Sequence, residues 1–73
     1  MEKNKKNDSN YSTFIKFVRG EMRLTQEELG KEFGVSPITI LRWEQGKSSP
    51  NFLNKKQIED FCEINGIDLT KYL

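Results

Sequence analysis

Apolar residues recur at helical spacing along most of this 73-residue chain, and the first run begins at Tyr11. Intervals of three and four residues place side chains on one face of an α-helix. The positions that set this pattern in the first helix are Phe14, Ile15, Val18 and Met22. The spacing predicts a helix from about Ser12 to about Met22. Residues 1–10 have no apolar side chain after Met1, so we predict a flexible arm over 1–10 and a folded domain over 11–73.

A second, shorter helix is marked at both of its ends. Thr25 and Glu28 have the spacing of a capping box, in which each side chain accepts a hydrogen bond from the other residue's amide. Leu29 and Phe33 supply the buried positions. Gly34 ends the helix, because glycine adopts the left-handed conformation of a helix C-terminus at little cost. This predicts a helix of only about two turns.

The same start signal returns at once in Ser36 and Pro37. Serine is a favoured N-cap, and proline suits the first helical position, where its missing amide costs nothing. Ile40 and Trp43 lie three residues apart and mark the buried face of this third helix, which spans about 37–45. Gly46 is predicted to end it. The connection between the second and third helices is short, as in a helix-turn-helix pair.

The rest of the chain contains one longer helical pattern and a short apolar end. The pattern begins at Phe52 or Leu53 and is ended by Asn65 and Gly66. Its predicted buried positions are Ile58, Phe61, Cys62 and Ile64, and the closing apolar residues are Ile67, Leu69, Tyr72 and Leu73. No strand-like alternation of useful length is present. The sequence therefore predicts an all-α fold, a compact bundle of about five short helices.

Composition limits the possible functions of the chain. It has no histidine and a single cysteine, Cys62, which argues against a general base, a zinc site or an internal disulfide. An enzyme is therefore not expected, nor any cofactor or metal. No membrane-length apolar run and no signal peptide is visible, so a cytoplasmic protein is expected. The net charge is only +1, but Ile58–Asp68 contains four acids and no base.

Three stretches together resemble the Xre/Cro/C1 family of helix-turn-helix regulators, whose fold is that of the phage lambda repressor. They are Leu24–Gly30, Phe33–Ser36 and Thr39–Lys47, which read LTQEELG, FGVS and TILRWEQGK. Two positions depart from the family pattern: Gly30 replaces the usual alanine, and Arg23 stands where glycine is common. The resemblance implies a DNA-binding domain with its recognition helix in the major groove of double-stranded DNA.

The resemblance also implies roles for individual residues. The positions that match base contacts are Pro37, Ile38, Leu41 and Arg42. The positions that match phosphate contacts are Gln26, Ser36, Thr39 and Lys47. Arg19 and Glu44 match a structural ion pair. Arg42 is the main candidate for reading sequence, because a guanidinium can pair with O6 and N7 of guanine. Taken alone, Arg42 could be a solvated surface residue, and Ile38 and Leu41 could equally form a protein-binding surface.

We therefore predict a sequence-specific DNA-binding regulator of transcription, a repressor of bacterial, phage, plasmid or mobile-element origin. A homodimer on a palindromic operator is the expected form. Leu69, Tyr72 and Leu73 are the predicted dimer surface, and neither a membrane nor a small-molecule substrate is expected as a partner. The alternatives are an antitoxin that regulates its own operon, and a protein-interaction module that uses the same fold.

Overall fold

The computed structural model describes the backbone of residues 3–71 and the side chains of residues 11–70. It contains four α-helices followed by a short 3-10 turn at Leu69–Lys71. The helices are α1 (Lys3–Met22), α2 (Gln26–Phe33), α3 (Pro37–Glu44) and α4 (Phe52–Asn65). The predicted all-α class is confirmed. The fifth predicted helix corresponds to the 3-10 turn, of which three residues are described.

The first helix begins earlier than predicted. We expected it to start at about Ser12, but α1 is continuous from Lys3, so the predicted start is wrong. The segment 3–10 contains neither glycine nor proline. Once a helix is nucleated by packed residues, each further residue adds a hydrogen bond at little cost, and lysine is a good helix former. The division of the chain into an arm and a domain at residue 10 stays a prediction.

Both short helices begin where the sequence signals placed them, and α2 also ends at its predicted residue. The Thr25 hydroxyl accepts from the amide of Glu28 at 3.0 Å, and the Glu28 carboxylate accepts from the amide of Thr25 at 2.9 Å. Gly34 ends α2 with φ of +69°. Ser36 caps α3 and Pro37 is its first residue. However, α3 ends at Glu44, two residues before Gly46.

The turn between α2 and α3 is very close-packed. A Cβ atom added at Gly30 would lie 2.6 Å from the carbonyl oxygen of Val35, which is backbone and cannot move aside like a flexible side chain. The amide of Val35 in turn donates to the carbonyl of Gly30 at 2.9 Å. The small residue at position 30 therefore lets the turn fold back onto α2.

The core joins all four helices. Its fully or nearly buried residues are Tyr11, Phe14, Ile15, Val18, Leu29, Phe33, Ile40, Trp43, Ile58 and Cys62. The ring of Phe33 packs edge-on against Phe61 with centroids 5.4 Å apart, and lies 6.5 Å from the ring of Trp43. The prediction that Ile64 is buried is wrong, since 82% of it is exposed. It lies two residues after Cys62, which at 3.6 residues per turn rotates it more than half-way round the helix.

Candidate nucleic-acid interface

Helix α3 presents a buried face and an exposed face. Ile40 and Trp43 are buried in the core, which fixes the rotation of the helix about its own axis. Ile38 and Arg42 are four residues apart and therefore share a face on the opposite side. Ile38 is 58% exposed, and Arg42 is exposed with no ion-pair partner among residues 11–70. A rigidly held helix thus displays an apolar side chain beside a free guanidinium.

The other predicted base-contact residues flank this pair. Pro37 is exposed at the N-terminal end of α3, whereas Leu41 is half-buried at the edge of the exposed face. Gln45 was not among the predicted site residues, yet it is exposed and lies three residues after Arg42. Its amide adds a hydrogen-bonding group to the same face. The helical phase set by Ile40 and Trp43 would have identified it from the sequence.

The predicted partners Arg19 and Glu44 meet in a two-point ion pair between α1 and α3. Arg19 Nε lies 2.6 Å from Glu44 Oε2, and Arg19 Nη2 lies 3.2 Å from Oε1. Arg19 Nη1 also donates to the carbonyl of Leu24 at 3.2 Å. The hydrogen bond to Glu44 raises the pKa of Arg19 above its ordinary value, against the opposing effect of burial. The charge of the buried carboxylate is therefore compensated directly.

Two further groups from different helices also bind Glu44. Gln26, the first residue of α2, donates from Nε2 to Glu44 Oε1 at 3.0 Å. The hydroxyl of Ser12 on α1 donates to the main-chain carbonyl of Glu44. Glu44 thus connects the C-terminal end of α3 to α1 and α2. The bracing contact of Gln26 was implied by the family resemblance, while that of Ser12 had no signal in the sequence because it joins residues 32 positions apart.

The remaining candidates for phosphate contact lie at the two ends of α3. Ser36 and Thr39 are at its start, where their hydroxyl oxygens are 3.1 Å apart and the Ser36 oxygen also accepts from the amide of Thr39 at 3.2 Å. Lys47 is exposed just beyond its end. Together with Gln26, these residues surround the exposed face of α3 with hydrogen-bond donors and one cation.

The predicted dimer residues are only partly within the described region. Leu69 is half-buried and packs against the core, so part of its apolar surface is already covered by its own chain. Tyr72 and Leu73 lie outside the described residues. Their role in a dimer stays a prediction.

Other site chemistries find no support in the described part of the chain. Residues 11–70 contain no group of three or more histidine, cysteine or acidic side chains positioned to hold a metal ion. Burial raises the pKa of the Cys62 thiol to about 11, and the nearby charge of Glu59 acts in the same direction. A thiol with that pKa is protonated and unreactive at neutral pH. Within the described residues, no helix has the length and apolar character needed to cross a membrane.

The fold and the exposed face of α3 define a helix-turn-helix protein, and comparison with known proteins identifies the family. A family model described as helix-turn-helix matches residues 15–69, three quarters of the chain. The chain therefore belongs to the Cro/C1-type helix-turn-helix family of DNA-binding transcriptional regulators, a non-enzymatic family.

The proteins that are similar to this chain include two HTH-type transcriptional regulators. One is an uncharacterized HTH-type transcriptional regulator of Methanocaldococcus jannaschii, 36% identical over 58 residues, which cover 80% of this chain and 88% of that protein. The other is an uncharacterized HTH-type transcriptional regulator of Methanothermobacter thermautotrophicus, 44% identical over 41 residues, which cover 56% of this chain and 59% of that protein. No solved structure matches the chain.

Proposed function

We propose that this protein represses transcription by binding an operator sequence, with α3 lying in the major groove of the DNA. The observation that carries the proposal is the exposed face of α3. Ile38 and Arg42 are displayed there without partners in the described chain. The orientation of their helix is fixed by the burial of Ile40 and Trp43 and by the hydrogen bonds of Glu44 to α1 and α2. An apolar residue and a guanidinium side by side suit the methyl groups and acceptors of the major groove.

The proposal assigns different roles to the exposed face and its surroundings. Arg42 reads guanine through paired hydrogen bonds to O6 and N7, while Ile38, Leu41 and Pro37 contact thymine methyl groups. These contacts specify the sequence. A separate set positions the protein on the backbone without reading sequence. That set comprises Gln26, Ser36, Thr39 and Lys47.

The expected binding form is a homodimer on a palindromic operator. One α3 helix contains only eight residues and reaches only a few base pairs. A second copy related by a two-fold axis doubles the recognised sequence, which is why helix-turn-helix dimers bind half-sites one turn of DNA apart. An operator that overlaps a promoter would then give repression by excluding the polymerase.

The test is selection of bound sequences from a pool of random duplex DNA. We expect the unmodified protein to enrich an inverted repeat with one strongly preferred guanine in each half-site. Arg42→Ala should lower affinity for that sequence by about ten- to a hundredfold, since a bidentate base contact is worth about 1–3 kcal/mol of discrimination. Arg42→Lys should recover only part of the loss, because lysine keeps the charge but not the paired geometry.

Lys31→Ala is the matched control, since Lys31 is an exposed cation in the last turn of α2, outside the exposed face of α3. It should leave the selected sequence unchanged and lower affinity only slightly. Absence of any enriched sequence for the unmodified protein would refute sequence-specific binding. An unchanged preference in Arg42→Ala would remove Arg42 from the reading of bases while leaving the DNA-binding function in place.

A further inference from the structure

Helix α4 carries an exposed stripe along its whole length that residues 11–70 leave uncovered. The stripe is formed by Phe52, Lys56, Asp60 and Ile64, which follow one another at intervals of four residues. Residues at this spacing lie on one face of a helix. Phe52 is 80% exposed and Ile64 is 82% exposed, while both charged residues between them are also exposed.

The stripe lies on the side of α4 that faces away from the core. The helix packs against the rest of the fold through Ile58 and Cys62, which are both buried. Lys56 and Asp60 form no ion pair with any residue in the range 11–70. Two large apolar side chains and two opposite charges are thus presented together, in the order apolar, basic, acidic, apolar.

This order is self-complementary when two copies of the helix pack antiparallel. Position 58 lies midway between 52 and 64, and also midway between 56 and 60. A two-fold axis that crosses the exposed side of α4 at the height of residue 58 therefore places Phe52 against Ile64 of the partner subunit, and Lys56 against Asp60 of the partner subunit. Parallel pairing would instead bring like charges together. We propose that α4 forms the dimer interface of this protein, in which it packs antiparallel against α4 of a second copy of the chain.

Such an interface has the symmetry that a two-fold dimer requires, because each copy contributes the same patch and the two patches are complementary to each other. The proposal rests on the proposed function, since a palindromic operator requires a two-fold dimer. It makes α4 the main dimer contact in place of Leu69, Tyr72 and Leu73. A helix of 14 residues is about 21 Å long and buries less than the roughly 1,200–2,000 Å² of a standard stable interface. The free dimer is therefore weak and is strengthened by binding two adjacent half-sites.

A charge-exchange experiment tests the pairing without DNA. Lys56→Glu gives a stripe with two acids, and Asp60→Lys gives a stripe with two bases. Sedimentation equilibrium of the full chain should show that each variant dimerises at least about tenfold more weakly than the unmodified protein, because like charges then face one another. An equimolar mixture of the two variants should recover dimers, since every facing pair is again of opposite charge. Circular dichroism verifies that each variant keeps its helical content.

The matched control is Lys16→Glu, which makes the same change of charge at an exposed position of α1 and should leave dimerisation unchanged. Phe52→Ala and Ile64→Ala should each weaken the dimer. The proposal is overturned if the unmodified protein stays monomeric at millimolar concentration, or if the mixture of variants recovers no dimer. It is also overturned if truncation after Asp68 abolishes dimerisation while both charge variants leave it intact. Dimerisation as described, with no DNA sequence selected, would refute the proposed function and leave this interface standing.

Discussion

Glu44 carries a charge into the core, where a cation from α1 and a side-chain amide from α2 contact its carboxylate. Its side chain is only 6% exposed, whereas that of Arg19 is 29% exposed. Removing water from a carboxylate is costly unless its charge is paired and its lone pairs accept hydrogen bonds. Arg19 and Gln26 meet both conditions. Because Glu44 is more buried than Arg19, we expect substitutions of the two residues to lower the stability of the fold by different amounts.

We predict that Arg19→Ala destabilises the fold more than Glu44→Gln does. Loss of Arg19 leaves a buried carboxylate with Gln26 as its remaining side-chain donor, which should cost about 3 kcal/mol. Glu44→Gln removes the buried charge and leaves Arg19 in contact with water, which should cost about half as much. Urea unfolding of both single variants and of the double variant measures the coupling, expected at about 1–3 kcal/mol. Additive effects would show that the ion pair contributes nothing.

Cys62 makes stability depend on pH in the alkaline range. Burial raises the pKa of its thiol from 9.0 to about 11. Between these values the unfolded chain releases the thiol proton while the folded chain keeps it, so the free energy of unfolding falls as the pH rises from about 9 to 11. A pKa difference of this size corresponds to about 3 kcal/mol.

We predict that Cys62→Ala removes most of this dependence. The variant loses packing at every pH, but its stability should fall less than that of the unmodified protein between pH 8.5 and 10.5. Tyr11 adds a slope of the same sign, because burial, together with the charges of Glu59 and Cys62, also raises the pKa of its phenol. Urea unfolding at a series of pH values gives the comparison. Equal slopes in both proteins would contradict a titration of Cys62.

At the level of elements, the close turn between α2 and α3 determines where the recognition helix lies. The helices are joined by only three residues, and the backbone of Val35 lies against Gly30. The atoms nearest to a Cβ at this position all belong to the backbone, so no flexible side chain can move aside for a larger residue. The orientation of α3 therefore depends on the absence of a side chain at Gly30 as well as on the hydrogen bonds of Glu44 to Arg19 and Gln26.

We predict that Gly30→Ala destabilises the protein and weakens DNA binding together. Alanine is intrinsically favoured over glycine in a helix by about 1 kcal/mol, but a contact of 2.6 Å with backbone forces α3 to shift, at a cost of about 1–3 kcal/mol. Gly20→Ala is the matched control, because a Cβ there meets no atom within 4 Å. It should raise the melting temperature and leave binding unchanged. A stabilising effect of Gly30→Ala would show that the turn relaxes freely.

At the level of the whole molecule, the sequence predicted what depends on local signals. The caps at Thr25 and Ser36, the stop at Gly34 and the buried phase of Ile40 all follow from residues close together in the chain. Each signal is satisfied within one turn of helix, so no tertiary information is needed. The exposed face of α3 follows in the same way, as the side opposite its buried residues.

The sequence predicted less well what depends on distant contacts. The start of α1 was missed because residues 3–10 lack the apolar spacing from which the helix was predicted. The burial of Ile64 was misjudged because an apolar residue is not buried when its helix turns it towards solvent. The contact of Ser12 with Glu44 depends on the packing of α1 against α3. Arg23 is left-handed, with φ of +56°, at the position where the family resemblance makes glycine common.

The most direct measurement of the central claim is a nuclear magnetic resonance titration of isotope-labelled protein with the selected DNA duplex. If α3 enters the major groove, the largest changes in backbone amide signals should fall between Ser36 and Gln45, with a second group at Thr25 and Gln26 at the start of α2. Arg42→Ala should retain the second group and reduce the first. Unchanged amide signals throughout α3 on binding, with changes confined to other helices, would contradict the account.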